Sequence, residues 1–218
     1  MKMNKCHFKK ILTKKKLKSS FWKIEKKLIQ RHSNLVAIDE AGRGALAGPL
    51  VLGSLFLDKT SLKILEKNKI LFFDSKTLKP EEREFFYRLI KKIGLKYKIV
   101  SITNKKIDKI GIGKAFIYGV KKILEYFQPN CLVLDGRKIK ELSSKNIYFF
   151  VKGDSKLPSL GGASILAKVH RDRYMEKISK KFPEYLFDLH KGYGTKKHYL
   201  MIKKYQICPL HRKTFLNF

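Results

Sequence analysis

Apolar residues in this chain fall into short runs separated by glycine, proline and acids, and their spacing changes from stretch to stretch. Residues 35–38 and 50–57 are apolar runs on either side of the glycine-rich stretch 41–49, the pattern of strand, turn and strand, and a buried hairpin is the simplest structure for them. A helix is predicted to begin at Pro80, where Glu81, Glu82 and Glu84 crowd the first turn; Phe86, Leu89, Ile90 and Ile93 share one side, and Gly94 stops it. Residues 97–103 read as a strand. Phe116, Val120, Ile123, Leu124 and Phe127 form the apolar stripe of a second helix, which ends at Pro129, and residues 131–134 and 147–151 return as strands. Residues 160 to about 182 read as a long helix with Ala163, Ile165, Leu166, Ala167 and Val169 available for packing, closed by Pro183. Strands alternating with helices predict an α/β architecture, and no internal repeat is visible.

Residues 1–33 differ from the rest. Lysines occur throughout, with Phe8, Ile11, Leu12, Leu17, Phe21, Trp22, Ile24, Leu28 and Ile29 interspersed at loosely helical spacing, so the segment reads as a basic amphipathic appendage. Two readings stay open: sequence-blind contact with phosphates, and a partly disordered tail.

Charge sharpens the picture. The 218 residues, 44% of them hydrophobic, suit one domain with a full core. Lys and Arg number 50 against 18 Asp and Glu, a formal charge of +32. That is far more than solubility needs, so a polyanionic partner is expected, with nucleic acid ahead of an anionic membrane surface. A compositional bias towards lysine accounts for part of the excess but not for the scarcity of acids. Cys6, Cys131 and Cys208 are odd in number and scattered, which suits a reduced chain rather than a disulfide framework, and Cys131 reads as core. No apolar stretch reaches the ~18 residues that span a bilayer, and the N-terminus is too rich in lysine for a signal peptide. A soluble, cytoplasmic protein is expected.

In so basic a chain, an acid at the end of an apolar strand needs a reason, because a buried carboxylate is costly unless paired or metal-bound. Asp39 and Glu40 follow the run 35–38 directly and precede Gly42, Arg43 and Gly44, where missing side chains let backbone amides approach a ligand. Asp135 ends the run 131–134 and is followed by Gly136; Asp154 follows the run 147–151. Any one of these alone would be an N-cap, a turn-former or a surface pair. Three strands that each deliver an acid point instead to a cluster neutralised by Mg²⁺ or Mn²⁺, since oxygen-only ligands favour those ions over zinc. Two such ions about 4 Å apart serve phosphodiester hydrolysis, which agrees with a nucleic-acid-binding exterior.

The strings IDEAGRG from Ile38, DSKTL from Asp74, LDG from Leu134, KGD from Lys152, ASILAKVHRDRYM from Ala163 and HKGYGT from His190 together resemble the bacterial ribonuclease HII family. The resemblance runs from about residue 35 to 215 in the family's order. It implies a ribonuclease H-like fold, a central mixed β-sheet flanked by helices with a helical C-terminal part, over a catalytic domain at residues 34–218. It also implies that Asp39, Glu40, Asp135 and Asp154 are the catalytic and metal-binding acids, with Asp39 shared between two ions and Asp135 and Asp154 holding one each. Gly42, Arg43, Gly44 and Tyr193 are implied to sense the ribose 2′-hydroxyl, the group that separates RNA from DNA. Lys76 is assigned either a phosphate contact or plain solvation. Asp172, between Arg171 and Arg173, is the rival fourth acid, but its mid-helix place suits an ion pair.

The implied activity is hydrolysis of the RNA strand of RNA/DNA hybrids and cutting at ribonucleotides embedded in duplex DNA by a monomer, giving 5′-phosphate and 3′-hydroxyl ends, in ribonucleotide removal and DNA replication or repair. The chain departs from the family at Gly161 and Gly162, where alanines are usual, at Gly111 and Gly113 near an expected helix start, and at Ala45 in place of a proline. Each helical glycine is expected to cost about 1 kcal/mol relative to alanine. The related type HIII enzymes carry a GTG-like string and a folded N-terminal domain, so type HII is preferred. The rival from another class is a non-catalytic RNA- or DNA-binding protein.

Overall fold

A computed structural model describes residues 22–216 apart from 73 and 143. Strands β1 (Asn34–Ala41), β2 (Leu50–Asp58), β3 (Tyr97–Ile102), β4 (Leu132–Asp135) and β5 (Ile147–Phe150) form one mixed sheet in the order β3-β2-β1-β4-β5. The short loop between β1 and β2 makes them antiparallel, as the hairpin reading requires, and β3 extends the antiparallel side. β4 and β5 are reached by helical crossovers and 3-10 turns and run parallel to β1.

Both faces of the sheet are covered, which is why its central strands read as nearly continuous apolar runs. In β1, Leu35 and Ala37 face a core built with Phe86 and Ile90 of α3 (Pro80–Lys92) and Ile165 and Leu166 of α6 (Pro158–Ser179). Val36 and Ile38 face the opposite core, with Phe116, Val120 and Ile123 of α5 (Ile112–Phe127). Helix α6 lies so close to β2 that a Cβ on Gly53 would stand 2.3 Å from the Ala163 carbonyl oxygen. It begins at Pro158, two residues before the predicted start, because proline suits a first turn, and it ends at Ser179, before the residue that precedes Pro183.

Two expectations change. Gly111 does not weaken a helix interior: it ends α4 (Asn104–Ile110) and starts α5 with a φ of 78°, a left-handed conformation that favours glycine. Gly162 fills a tight place in α6, where a Cβ would come within 2.9 Å of Leu55 and 3.0 Å of Phe72.

The end of the basic leader is also more than an appendage. Helix α1 (Lys23–His32) buries Leu28 and Ile29, together with the preceding Trp22, in the α3–α6 core. Its Glu25 side chain accepts the Ser159 backbone N–H (3.1 Å) and hydroxyl (2.9 Å), capping the start of α6, which has no cap of its own. Residues 1–21, and the phosphate-binding or tail reading of them, lie outside the described residues. At the other end, α7 (Phe187–His190) and α8 (Lys196–Tyr205) supply the helical C-terminal part, whose Tyr185, Phe187 and Cys208 pack with Met175 and Ala47. Cys131 and Cys208 are buried free thiols, and no described helix is long and apolar enough to cross a membrane.

Ile29→Ala should destabilise the protein by about 2–5 kcal/mol, the usual range for truncating a buried isoleucine, seen as a lower urea midpoint at unchanged slope. A dispensable leader would leave the midpoint where it was.

Candidate active site

The parallel pairing of β1 with β4 sets Ile38 level with Leu134, so Asp39 and Asp135 leave adjacent strands at the same end. After β5 the chain turns through Lys152, in a left-handed conformation, into a 3-10 turn (Gly153–Ser155) that brings Asp154 to the same end. The Gly153 N–H donates to Asp135 Oδ1 at 2.6 Å. Gly153 has no room for a side chain, since a Cβ would lie 2.3 Å from Leu160 and 3.2 Å from Asp135 Oδ1. Asp39, Asp135 and Asp154 thereby offer oxygens that all lie within 4.8 Å of one another, with Asp39 and Asp154 buried and Asp135 half-buried.

So much negative charge in so little water is unfavourable. Burial first, then repulsion from Glu40 and Asp135, pushes the Asp39 carboxyl from 3.8 up to about 8, against hydrogen bonds from the Ser164 hydroxyl and the Glu40 N–H. Asp154 is raised by burial, with Asp74 and Asp135 adding to it, although Lys76 Nζ stands 3.3 Å from its Oδ2. Three converging carboxylates with Lys76 at the rim are a donor set for a hard divalent cation, and oxygen-only ligands fit Mg²⁺ or Mn²⁺.

Glu40 takes a different position. The alternation of a strand turns it away from Asp39, and it stands outside the close trio, 3.3 Å from Arg43, whose guanidinium lies over the Phe116 ring. Its carboxyl is raised by burial despite Arg43, with Asp135 contributing. Asp172 is an ion-pair partner, as its place suggested, held by Lys168 at 2.9 Å rather than by the flanking arginines, while Arg173 pairs with Glu84.

Beside the acids, the loop after β1 meets the loop that carries Tyr193. The Gly42 N–H donates to the Tyr193 hydroxyl (3.1 Å), and the N–H groups of Leu46 and Ala47 donate to the Gly192 carbonyl. Ala45 forms an isolated bridge with Tyr193 and keeps an N–H, directed at the Gly42 carbonyl, that a proline would lack. Two buried arginines hold this junction from below. Arg171 donates to the carbonyls of Ala47, Pro49 and Lys191, and Arg212 to those of Arg43 and Gly48. Gly42, at φ 87°, lies against Arg171, where a Cβ would fall 2.0 Å from Nε.

Sequence reasoning missed both arginines and the pair Ser75 and Ser164, whose hydroxyls are 2.8 Å apart and link the Lys76 turn to Asp39's neighbour. For Arg171 and Ser164 the signal was a polar residue within the long helix; Ser75 and Arg212 lie in turns and gave none.

A mixed sheet flanked by helices that delivers carboxylates from β1, β4 and the turn after β5 to one end defines a ribonuclease H-like hydrolase. The ribonuclease HII family profile matches residues 36–218, and the ribonuclease HII of Caldicellulosiruptor bescii is 40% identical over 201 residues, 91% of this chain and 94% of that one. Ribonuclease H2 of Pyrococcus horikoshii OT3 superposes with a TM-score of 0.65 at 26% identity, over 83% of this chain and 93% of that one. The ribonuclease HII in the PCNA complex of Archaeoglobus fulgidus shares the fold, with a TM-score of 0.68 at 24% identity over 84% and 96% of the two chains. The chain belongs to the ribonuclease HII family.

The raised Asp39 carboxyl makes a stability prediction. Between 3.8 and about 8 the folded protein holds a proton that the unfolded chain releases, so the metal-free protein loses stability as pH rises through that window. At pH about 8.5 without divalent metal, Asp39→Asn should melt above wild type by roughly 2–4 °C for each kcal/mol of burial and repulsion cost removed, and the gap should close towards pH about 4. Differential scanning calorimetry checks both; a substitution that lowers the melting temperature at high pH would contradict the repulsion.

Proposed function

We propose that this ribonuclease hydrolyses the RNA strand of RNA/DNA hybrids and cuts at ribonucleotides embedded in duplex DNA, leaving 5′-phosphate and 3′-hydroxyl ends, in ribonucleotide removal and DNA replication. The observation that carries this reading is the convergence of Asp39, Asp135 and Asp154 within 4.8 Å beside the Gly42–Tyr193 contact. An acid cluster alone would serve any phosphodiester. A backbone amide and a phenol at its edge add a means of asking whether a 2′-hydroxyl is present.

Asp39, Asp135 and Asp154 would hold Mg²⁺ or Mn²⁺, with Glu40 completing the acid set. When bound, such ions supply activation of water and stabilisation of the leaving oxygen. The residues of the chain supply the rest. Gly42, Arg43 and Gly44 bring backbone close to the ribose, Tyr193 limits where the sugar sits, and Lys76, which stands at Asp154 without metal, is within reach of a phosphate. The formal charge of +32 holds the duplex through its phosphates regardless of sequence, and the chain acts as a cytoplasmic monomer.

A labelled DNA duplex with one ribonucleotide, incubated with Mg²⁺, Mn²⁺ or chelator, tests the reading. Wild type should make one metal-dependent cut on the 5′ side of the ribonucleotide and leave an all-DNA duplex intact, and Asp135→Asn should lower the rate by a factor on the order of 10²–10³, as loss of an electrostatic stabiliser does. Metal-independent binding without cleavage would favour the non-catalytic nucleic-acid-binding alternative.

A further inference from the structure

Behind Tyr193 lie three buried histidines that the acid chemistry does not use, His190, His198 and His211. His190 stacks on His198 with ring centroids 4.3 Å apart, and His198 Nε2 lies 3.1 Å from His211 Nε2. Every ring nitrogen of the three has a hydrogen-bond partner, so none is spare for a metal.

The backbone partners fix where the protons are. Cys208 N–H donates to His211 Nδ1 at 2.9 Å, which makes that nitrogen the acceptor and puts the His211 proton on Nε2. The Cys208 carbonyl, 3.3 Å from the same Nδ1, could take a proton from it only if the closer N–H lost its acceptor. The His211 Nε2 proton points at His198 Nε2, which must therefore carry a lone pair. His198 then has its proton on Nδ1 and donates it to the Tyr193 carbonyl at 3.0 Å, an oxygen that also accepts the Thr195 N–H. In the same loop, Gly192 N–H donates to His190 Nδ1 (3.2 Å), and His190 Nε2 donates to the Tyr185 carbonyl (2.8 Å).

We propose that His198 and His211 are positioning residues for Tyr193: a one-way chain of hydrogen bonds, from Cys208 N–H through two neutral rings to the Tyr193 carbonyl, sets the place of the phenol that meets Gly42. This rests on the reading of Tyr193 and Gly42 as the ribose-sensing pair. The chain works only with one proton per ring, because a second would set N–H against N–H. Burial favours that state: it pulls His198 down to about 4, with His190 and His211 adding to it, and lowers His190 and His211 as well. His190, pinned to the Gly192 N–H and stacked on His198, steadies the other side of the loop.

Long-range ¹H–¹⁵N correlation on the labelled full-length protein at neutral pH reads the protons directly. His198 should be the Nδ1–H tautomer, the rarer form in free histidine, and His190 and His211 the Nε2–H tautomer; a His198 that is charged or protonated on Nε2 overturns the chain. Function supplies the second arm. His198→Leu should lose about tenfold in kcat/KM on the duplex with one ribonucleotide while its affinity for an all-DNA duplex stays unchanged, the size expected for one hydrogen bond, and His198→Asn, whose amide can donate in place of Nδ1, should recover most of it. Equal losses in the two variants would reduce His198 to packing and overturn the proposal. A wild type with the expected tautomers that cuts no ribonucleotide would overturn the functional reading instead, and the sensing role with it.

Discussion

Carboxylates brought together out of water repel one another and lose hydration at the same time, and this fold is arranged to hold three of them in that position. The parallel pairing of β1 and β4 sets Asp39 beside Asp135, and a glycine turn with no room for a side chain sets Asp154 against both. Burial and neighbouring acids raise the Asp39 and Asp154 carboxyls, so ionising them costs the metal-free protein stability. The cores on the two faces of the sheet carry that load: α6 lies against β2 with glycine at the closest approach, and α1 caps the start of α6 through Glu25. Stability and chemistry are thus divided between the middle of the sheet and its end.

The Gly42–Tyr193 contact follows directly on the strand that carries Asp39. β1 carries Asp39 and runs within three residues into Gly42, so any shift of the loop after β1 is felt at the cluster. That loop is not held by apolar packing alone. Arg171 and Arg212 bind its carbonyls from beneath, and its contact with Tyr193 is backed by the histidine chain. Buried guanidiniums that spend their hydrogen bonds on carbonyls hold the backbone of the loop after β1 in place.

Much of this was legible in the sequence because it is local. Period and punctuation located all five strands and helices α3, α5 and α6, and the acids showed themselves by ending apolar runs in a chain poor in acids. What stayed hidden depends on partners far along the chain. Arg212 binds Arg43, Ser164 meets Ser75, and Glu25 caps a helix that begins at Pro158. Each looks like an ordinary surface or helical residue until the fold supplies its partner. The basic leader misled for a related reason: its lysines dominate the composition, while the contact that joins it to the body rests on Trp22, Leu28 and Ile29. Gly111, placed near a helix start, was assigned a helical cost because the positive φ that suits glycine at that junction is not visible in the sequence.

Under the proposed function, a cation held by Asp39, Asp135 and Asp154 would displace the proton that burial favours on Asp39. Calorimetric titration with Mn²⁺ at pH about 7, in two buffers of different ionisation enthalpy, measures that exchange. Binding should release roughly one proton per chain, because a carboxyl at about 8 is mostly protonated there, and Asp39→Asn should release correspondingly fewer. Tight Mn²⁺ binding with no difference in proton release between the two proteins would contradict the claim.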